Sequence, residues 1–282
     1  MKNTKVFLVS FLIFIITVSL INTTVWWLES TYTWKRCLAH GGTLSITIMF
    51  GWIPALIIGY DYEKYLDNKN KVDNNWFNEL VLHTQITIKK SKLNFQHGRI
   101  LYSLLSEYLD KFKSDINILE TGTARGFSSI VMSKVLNEKN IKNSKIYTLD
   151  IIPHNKKIYW NCIDDSEGKK TRKELLSKWN HLTENIEFLS GRSKNILPRL
   201  QKLARINFAF LDGAHDYKTV KYEFLFVSNR QKKNDLLILD DVTKDKFNGI
   251  VKLVEEIESN KSYDVQLIES ETNRGYAILK KN

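Results

Sequence analysis

Beyond residue 115, acidic side chains close four short apolar runs. Glu120 ends INILE (116–120), Asp150 ends KIYTLD (145–150), Asp212 ends INFAFLD (206–212), and Asp240-Asp241 end DLLILDD (235–241). The segments FLDGAHDY and LILDDV bring Asp212, His215, Asp216, Asp240 and Asp241 to two strand ends that are neighbours if the runs are strands. Asp212, Asp240 and Asp241 converging in one place would repel one another unless protons or a cation intervened. Their hard oxygen atoms favour Mg2+, Mn2+ or Ca2+ over zinc.

The stretch ETGTARGFSS (120–129) asks for a different partner. Gly122 and Gly126 let a ligand approach the backbone and expose the amides that open the next helix. The dinucleotide fingerprint G-x-G-x-x-G is missing because Ala124 stands where its second glycine belongs, and no Gly-Lys-Ser/Thr follows to make a phosphate loop. Glu120 would repel a pyrophosphate and suits a cationic group, while Asp150 can accept two hydrogen bonds from a ribose diol. A nucleoside carrying positive charge satisfies both. The same residues also suit plainer roles: the glycines a tight strand–helix connection, Asp150 a turn cap, and Ser193 the N-cap of the helix it begins.

These residues need elements to hold them. Helical spacing over Phe127–Leu136, TRKELLSKWNHL (171–182), SKNILPRLQKLA (193–204, interrupted by Pro198), TVKYEFLFVSNR (219–230) and GIVKLVEEIES (249–259) alternates with the apolar runs and with IEFLS (186–190). DVQLIES (264–270) and GYAILKK (275–281) read as a closing antiparallel pair. Ile100, Leu101, Leu104, Leu105, Tyr108, Leu109 and Phe112 recur on one face of a helix ahead of the first strand. The alternation predicts an α/β fold: a doubly wound, Rossmann-like, mainly parallel sheet with a C-terminal antiparallel pair. Ligands of such sheets bind at the carboxyl ends of the strands, where the acids stand.

From about Gln96 onward the chain resembles the class I S-adenosylmethionine-dependent methyltransferases, through ETGTARGFSS, YTLDII, FLSGRSKNILPRL, and FLDGAHDY followed by LLILDDV, in that order. The resemblance implies that Glu120 and the Gly122–Gly126 turn, with Thr123, hold the amino-acid part of S-adenosylmethionine, that Asp150 binds the ribose, and that residues near Ser193 flank the adenine. Ser128, Ile151 and Asp212 complete the implied cofactor set. The pattern of acids is similar to the metal-dependent small-molecule and sugar O-methyltransferases of the macrocin type. That likeness implies a divalent ion such as Mg2+ on Asp212, Asp240 and Asp241, with His215 as the base that takes a proton from the acceptor hydroxyl. Two other functions stay open at this point. One is an NAD- or nucleotide-sugar-binding oxidoreductase on a similar fold. The other is a catalytically inactive, membrane-anchored protein that binds S-adenosylmethionine.

The first sixty residues differ in character. VFLVSFLIFIITVSLI (6–21) and TLSITIMFGWIPALIIGY (43–60) carry no charge and approach the length that spans a hydrocarbon core. Trp26 and Trp27 follow the first run, as at a membrane interface. A cleaved signal peptide accounts for the first run alone and a buried core helix for the second alone; a two-helix transmembrane hairpin accounts for both. Lys2, Lys5, Lys64, Lys69 and Lys71 flank the hairpin on one side, against Lys35 and Arg36 in its loop, which favours both ends in the cytoplasm. The expected organisation is a transmembrane hairpin (1–60), a linker and lead-in (61–95), and a methyltransferase domain (96–282) facing the cytoplasm. The expected acceptor is a small molecule, sugar or lipid-linked species.

The chain is basic, with a formal net charge of +11 over 282 residues. The excess is spread as lysine, without an arginine-rich tract, an RNP-like aromatic motif or zinc-finger spacing, so nucleic acid is not expected as a partner. Cys37 and Cys162 are the only cysteines, too few for a disulfide framework or a CxxC site.

Overall fold

A computed structural model describes residues 70–85, 95–244, 246–269 and 275–282. The expected transmembrane hairpin and about half of the lead-in lie outside these residues. Among the described residues no helix is long and apolar enough to cross a membrane.

Helix α1 (Asn74–Thr84) starts where the Asp73 side chain accepts a hydrogen bond from the Trp76 amide at 2.8 Å. Helix α2 (Gln96–Lys111) buries Ile100, Leu101, Leu104, Leu105, Tyr108 and Leu109 of the face its spacing predicts, whereas Phe112, the last residue of that face, lies past the helix end and is exposed. The alternation then follows as β1 (Asn117–Thr121), α3 (Phe127–Glu138), β2 (Lys145–Asp150), α4 (Arg172–Leu175), α5 (Asn180–Thr183), β3 (Ile186–Ser190) and α6 (Ser193–Ile196). It ends with β4 (Phe208–Leu211), α7 (Tyr217–Ser228), β5 (Leu236–Leu239), α8 (Asn248–Asn260), β6 (Tyr263–Glu269) and β7 (Gly275–Lys281).

The strands form one sheet in the order β3-β2-β1-β4-β5-β7-β6. Strands β1 to β5 pair in parallel, and β7 runs antiparallel between β5 and β6. The pleat divides the core in two. Ile118, Phe208, Phe210 and Ile238 face a cluster with α1, α2 and α3, built on Phe77, Leu101, Leu105, Phe127 and Ile130. Leu119, Ala209, Leu211, Leu237 and Leu239 face the opposite way, onto Val220, Val227, Ile250 and Leu253 of α7 and α8. Both faces of the parallel strands are thus covered, which explains their nearly unbroken apolar sequences. The strand order reverses between β1 and β4, and a crevice opens there at the carboxyl edge of the sheet.

Two segments depart from the periodicity. The expected helix 171–182 is broken at Leu176 and Trp179 into α4, a 3-10 turn and α5. Its apolar residues serve two different sets of neighbours: Leu175 packs with Trp160 and Cys162, while Leu176, Trp179 and Leu182 join the main core. A straight helix could not face both. The expected helix 193–204 becomes 3-10 over Leu197–Leu200, at Pro198, whose ring removes an amide donor.

A polar network ties α2 to the sheet. Asp235, fully buried ahead of β5, accepts from the Tyr108 hydroxyl (2.8 Å), the Lys232 amide (2.7 Å) and both ends of the Arg205 fork (3.0 and 2.7 Å). Burial, with Asp235 as neighbour, pushes the Tyr108 phenol up to about 12. Asp235→Ala strands these donors. Because Arg205 keeps some solvent, the expected loss is about 2 kcal/mol, below the full cost of breaking a buried ion pair. Urea denaturation measures it.

Candidate active site

At the strand switch point lies a cavity of about 660 Å³. Gly122 and Ala124 of the glycine turn, Asp150 to Ile152 after β2, Gly191 to Lys194 after β3, and Asp212 to Ala214 after β4 line it. Thr121 of β1, Leu149 of β2 and Lys218, Thr219, Tyr222 and Glu223 of α7 complete the wall.

The turn between β1 and α3 passes three times through left-handed backbone: Gly122 at φ 90°, Ala124 at φ 44° and Gly126 at φ 89°. A β-carbon on Gly122 would overlap the Asp212 backbone carbonyl, so glycine lets the ends of β1 and β4 meet. Asp150 fixes the turn from the neighbouring strand. One of its oxygens accepts from the Ala124 amide at 2.6 Å and the other from the Ile152 amide at 2.8 Å. Each oxygen keeps further acceptor capacity for a ligand.

Glu120 sits elsewhere than the sequence suggests. It is fully buried beneath the turn, where it accepts from the hydroxyls of Ser128, Ser129 and Thr148, the last at 2.6 Å. Thr123 pairs with Thr148 through their hydroxyls at 2.6 Å. Burial pushes the Glu120 carboxyl up, against the downward pull of the three hydroxyls. Glu120, Thr123, Gly126 and Ser128 therefore form the underside of the turn, outside the cavity lining. Their own hydrogen bonding takes them there. Of the expected cofactor residues, Gly122, Asp150, Ile151, Ser193 and Asp212 do line the cavity, and Ile151 is 73% exposed.

Ser193 does not cap α6; Arg192 holds the cap position without a side-chain bond. The Ser193 hydroxyl instead donates to Glu223, whose other oxygen accepts from Thr121 at 2.9 Å. Glu223 is buried at the cavity wall, and burial pushes its carboxyl up. Sequence reading missed it. The signal was present: Glu223 interrupts the buried face of Val220, Phe224 and Val227 on α7, and an acid among apolar residues on such a face needs donors.

The acidic corner also differs from the expected trio. Ligand atoms of Asp212, His215 and Asp241 lie within 4.8 Å of one another, and Asp240 is not in the group. An Asp240 oxygen accepts from the Asp241 amide at 2.7 Å, and Asp241 takes left-handed backbone at φ 58°. That bend sends the two adjacent carboxylates in different directions. Asp241 is buried and meets His215 Nε2 at 2.8 Å, while the imidazole stacks on Phe247 with ring centres 4.3 Å apart.

A family model described as a methyltransferase domain matches residues 119–242, the span that carries the turn, Asp150 and the acidic corner. Solved structures share the architecture. The O-methyltransferase TomG from Streptomyces achromogenes, in complex with SAM, superposes with a TM-score of 0.55 at 14% identity, over 80% of this chain and 96% of that one. The O-methyltransferase from Bacillus cereus, in complex with SAH, gives 0.53 at 14% identity over 79% and 97%. The O-methyltransferase NovP gives 0.51 at 16% identity over 86% and 99%. At such identities the likeness speaks for the fold. No curated protein sequence matches the chain. The chain carries a class I methyltransferase domain, the class that takes its methyl group from S-adenosylmethionine.

Proposed function

We propose that the enzyme methylates a hydroxyl oxygen on a small-molecule, sugar or lipid-linked acceptor. The observation that carries this reading is the meeting of Asp212, His215 and Asp241 beside the cavity, with Asp212 belonging to both. That TomG, the Bacillus cereus protein and NovP are O-methyltransferases supports oxygen as the acceptor atom, and the methyltransferase match favours this reading over an oxidoreductase.

S-adenosylmethionine supplies a methyl group already activated on a sulfonium, so the protein must orient both partners and remove the acceptor's proton. The Gly122 turn leaves backbone open to the amino-acid end of the donor. Asp150 has acceptor capacity for the ribose diol, and Ile151 and Tyr222 offer apolar surface for the base. Glu120 acts from below, fixing α3 against β1 through Ser128 and Ser129. At the other end, Asp241 orients His215. When His215 Nε2–H donates to Asp241, Nδ1 carries the lone pair that receives the hydroxyl proton.

The donor set of two carboxylates and an imidazole, close enough to share one ion, also fits a divalent cation. Held by Asp212, Asp241 and His215, such a cation would lower the pKa of an acceptor hydroxyl. Asp240 then supports the corner through the Asp241 amide. The apolar runs 6–21 and 43–60 support a membrane tether with this domain on the cytoplasmic side, where a lipid-linked acceptor would be within reach.

Titration calorimetry with S-adenosylhomocysteine tests the donor site, and the expected result is one site per chain. An acceptor screen following release of S-adenosylhomocysteine tests turnover and separates an enzyme from an inactive binder. Under the cation reading, EDTA lowers the rate at least tenfold and Mg2+ restores it. A rate indifferent to EDTA would leave His215 and Asp241 as the complete acid–base unit.

A further inference from the structure

The loop after β2, residues 152–171, is organised around one tryptophan. Ile158 and Lys170 close it with a pair of 3.0 Å backbone bonds. The Trp160 indole N–H donates to the Lys170 carbonyl at 2.9 Å, and its backbone amide donates to Asp165 at 2.8 Å. Trp160, Cys162 and Leu175 form a small apolar cluster with Ile152 and Ile158, separate from both faces of the sheet.

Two arginines join this loop to the glycine turn, reaching in opposite directions. Arg125, inside the turn, donates through Nε (2.7 Å) and a terminal nitrogen to the Trp160 carbonyl. Arg172, at the far end of the loop, donates through Nε to the Ala124 carbonyl in the turn (2.9 Å) and through a terminal nitrogen to the Ile152 carbonyl (3.3 Å). Arg172 is 1% exposed, with its guanidinium near the rings of Trp160 and Phe188. A cation is seldom buried so completely for packing alone. Asp150 binds the amides of Ala124 and Ile152, the same two residues whose carbonyls Arg172 holds. Ala124 and Ile152, both on the cavity wall, are therefore clamped from the N–H side by an acid and from the C=O side by a cation.

We propose that Arg125 and Arg172 are positioning residues that couple the 152–171 loop to the donor turn, so that occupancy of the turn by the methyl donor fixes the loop beside it. The inference rests on the methyl-donor reading of the cavity. A ligand that stabilises the turn stabilises whatever is bonded to it, and by linkage a loop held in place raises the donor's affinity. Lysine cannot replace either residue, because only a guanidinium fork presents several fixed donors at once.

Hydrogen–deuterium exchange on the wild-type chain with saturating S-adenosylhomocysteine tests the coupling. Amides of residues 158–171 are expected to slow along with those of 122–126 and 150–152, although 158–171 stand outside the cavity lining. Arg125→Met, the less buried of the two changes, and Arg172→Lys are each expected to weaken S-adenosylhomocysteine binding roughly tenfold and to abolish the slowing at 158–171. Slowing confined to the cavity residues of the wild type would overturn the coupling, as would variants that lose thermal stability yet bind S-adenosylhomocysteine with unchanged affinity. A wild-type chain that binds no S-adenosylhomocysteine would instead overturn the donor site itself, and the coupling with it.

Discussion

Gly122→Ala is expected to abolish binding of S-adenosylhomocysteine and to destabilise the domain by about 3 kcal/mol or more. Two costs add. An L-residue at φ 90° carries backbone strain of order 1–2 kcal/mol. The new β-carbon also overlaps the Asp212 carbonyl, and a backbone group held by the β1–β4 pairing has little room to retreat. Relief requires the ends of β1 and β4 to separate where the cavity lies, so stability and affinity fall together. Gly168→Ala provides the internal comparison. Its φ of 99° imposes similar strain, but a β-carbon there meets nothing within 4 Å. Thermal denaturation of the two variants separates overlap from strain, and calorimetry should find a far smaller loss of S-adenosylhomocysteine affinity in Gly168→Ala than in Gly122→Ala.

His215→Ala is expected to lower kcat by a factor of about 100 to 10,000, the usual contribution of a positioned general base, while affinity for S-adenosylhomocysteine stays within about twofold. The dissociation follows from position: His215 is absent from the cavity lining, yet it meets Asp241 at the corner where Asp212 touches both sites. Asp241→Asn should reproduce much of the loss. An amide can still hydrogen-bond Nε2 but cannot stabilise an imidazolium as a carboxylate does. Steady-state kinetics on an acceptor found by screening, combined with calorimetry, measure both quantities. Equal losses in kcat and donor affinity would move His215 into the donor site and out of the proton-transfer role.

Much of this architecture could be read from the chain because burial on both faces forces the parallel strands into short apolar runs. INILE, KIYTLD, INFAFLD and DLLILDD mark β1, β2, β4 and β5 to within two residues. The position of Asp150 was legible for a related reason: a polar residue ending a buried strand must meet solvent or a ligand. Glu120 was misplaced by one detail of the pleat. Ile118 faces the α3 side, so Glu120, two residues on, faces it too and finds Ser128 and Ser129, whereas Thr121 points towards Glu223 of α7. The exclusion of Asp240 from the acidic corner depends on the left-handed backbone at Asp241, which a run of two aspartates does not announce. Arg172 was invisible for a different reason. An arginine opening a helix reads as a solvated charge, and its burial follows from carbonyls brought to it by residues 20 and 48 positions away.

The placement of β7 has a consequence for synthesis. Strand β5 carries Asp240 and Asp241 just beyond its end, and its outer edge pairs with residues 275–281. On a growing chain, β1 to β4 can assemble while that edge still waits for a segment made some forty residues later. An uncovered β5 offers a row of unpaired backbone groups to any passing strand, and such edges invite aggregation. Emergence of residues 275–281 is therefore the event that covers the β5 edge. The acidic corner shares that dependence, because the Val242 amide beside Asp241 donates to the Gly275 carbonyl at 2.8 Å.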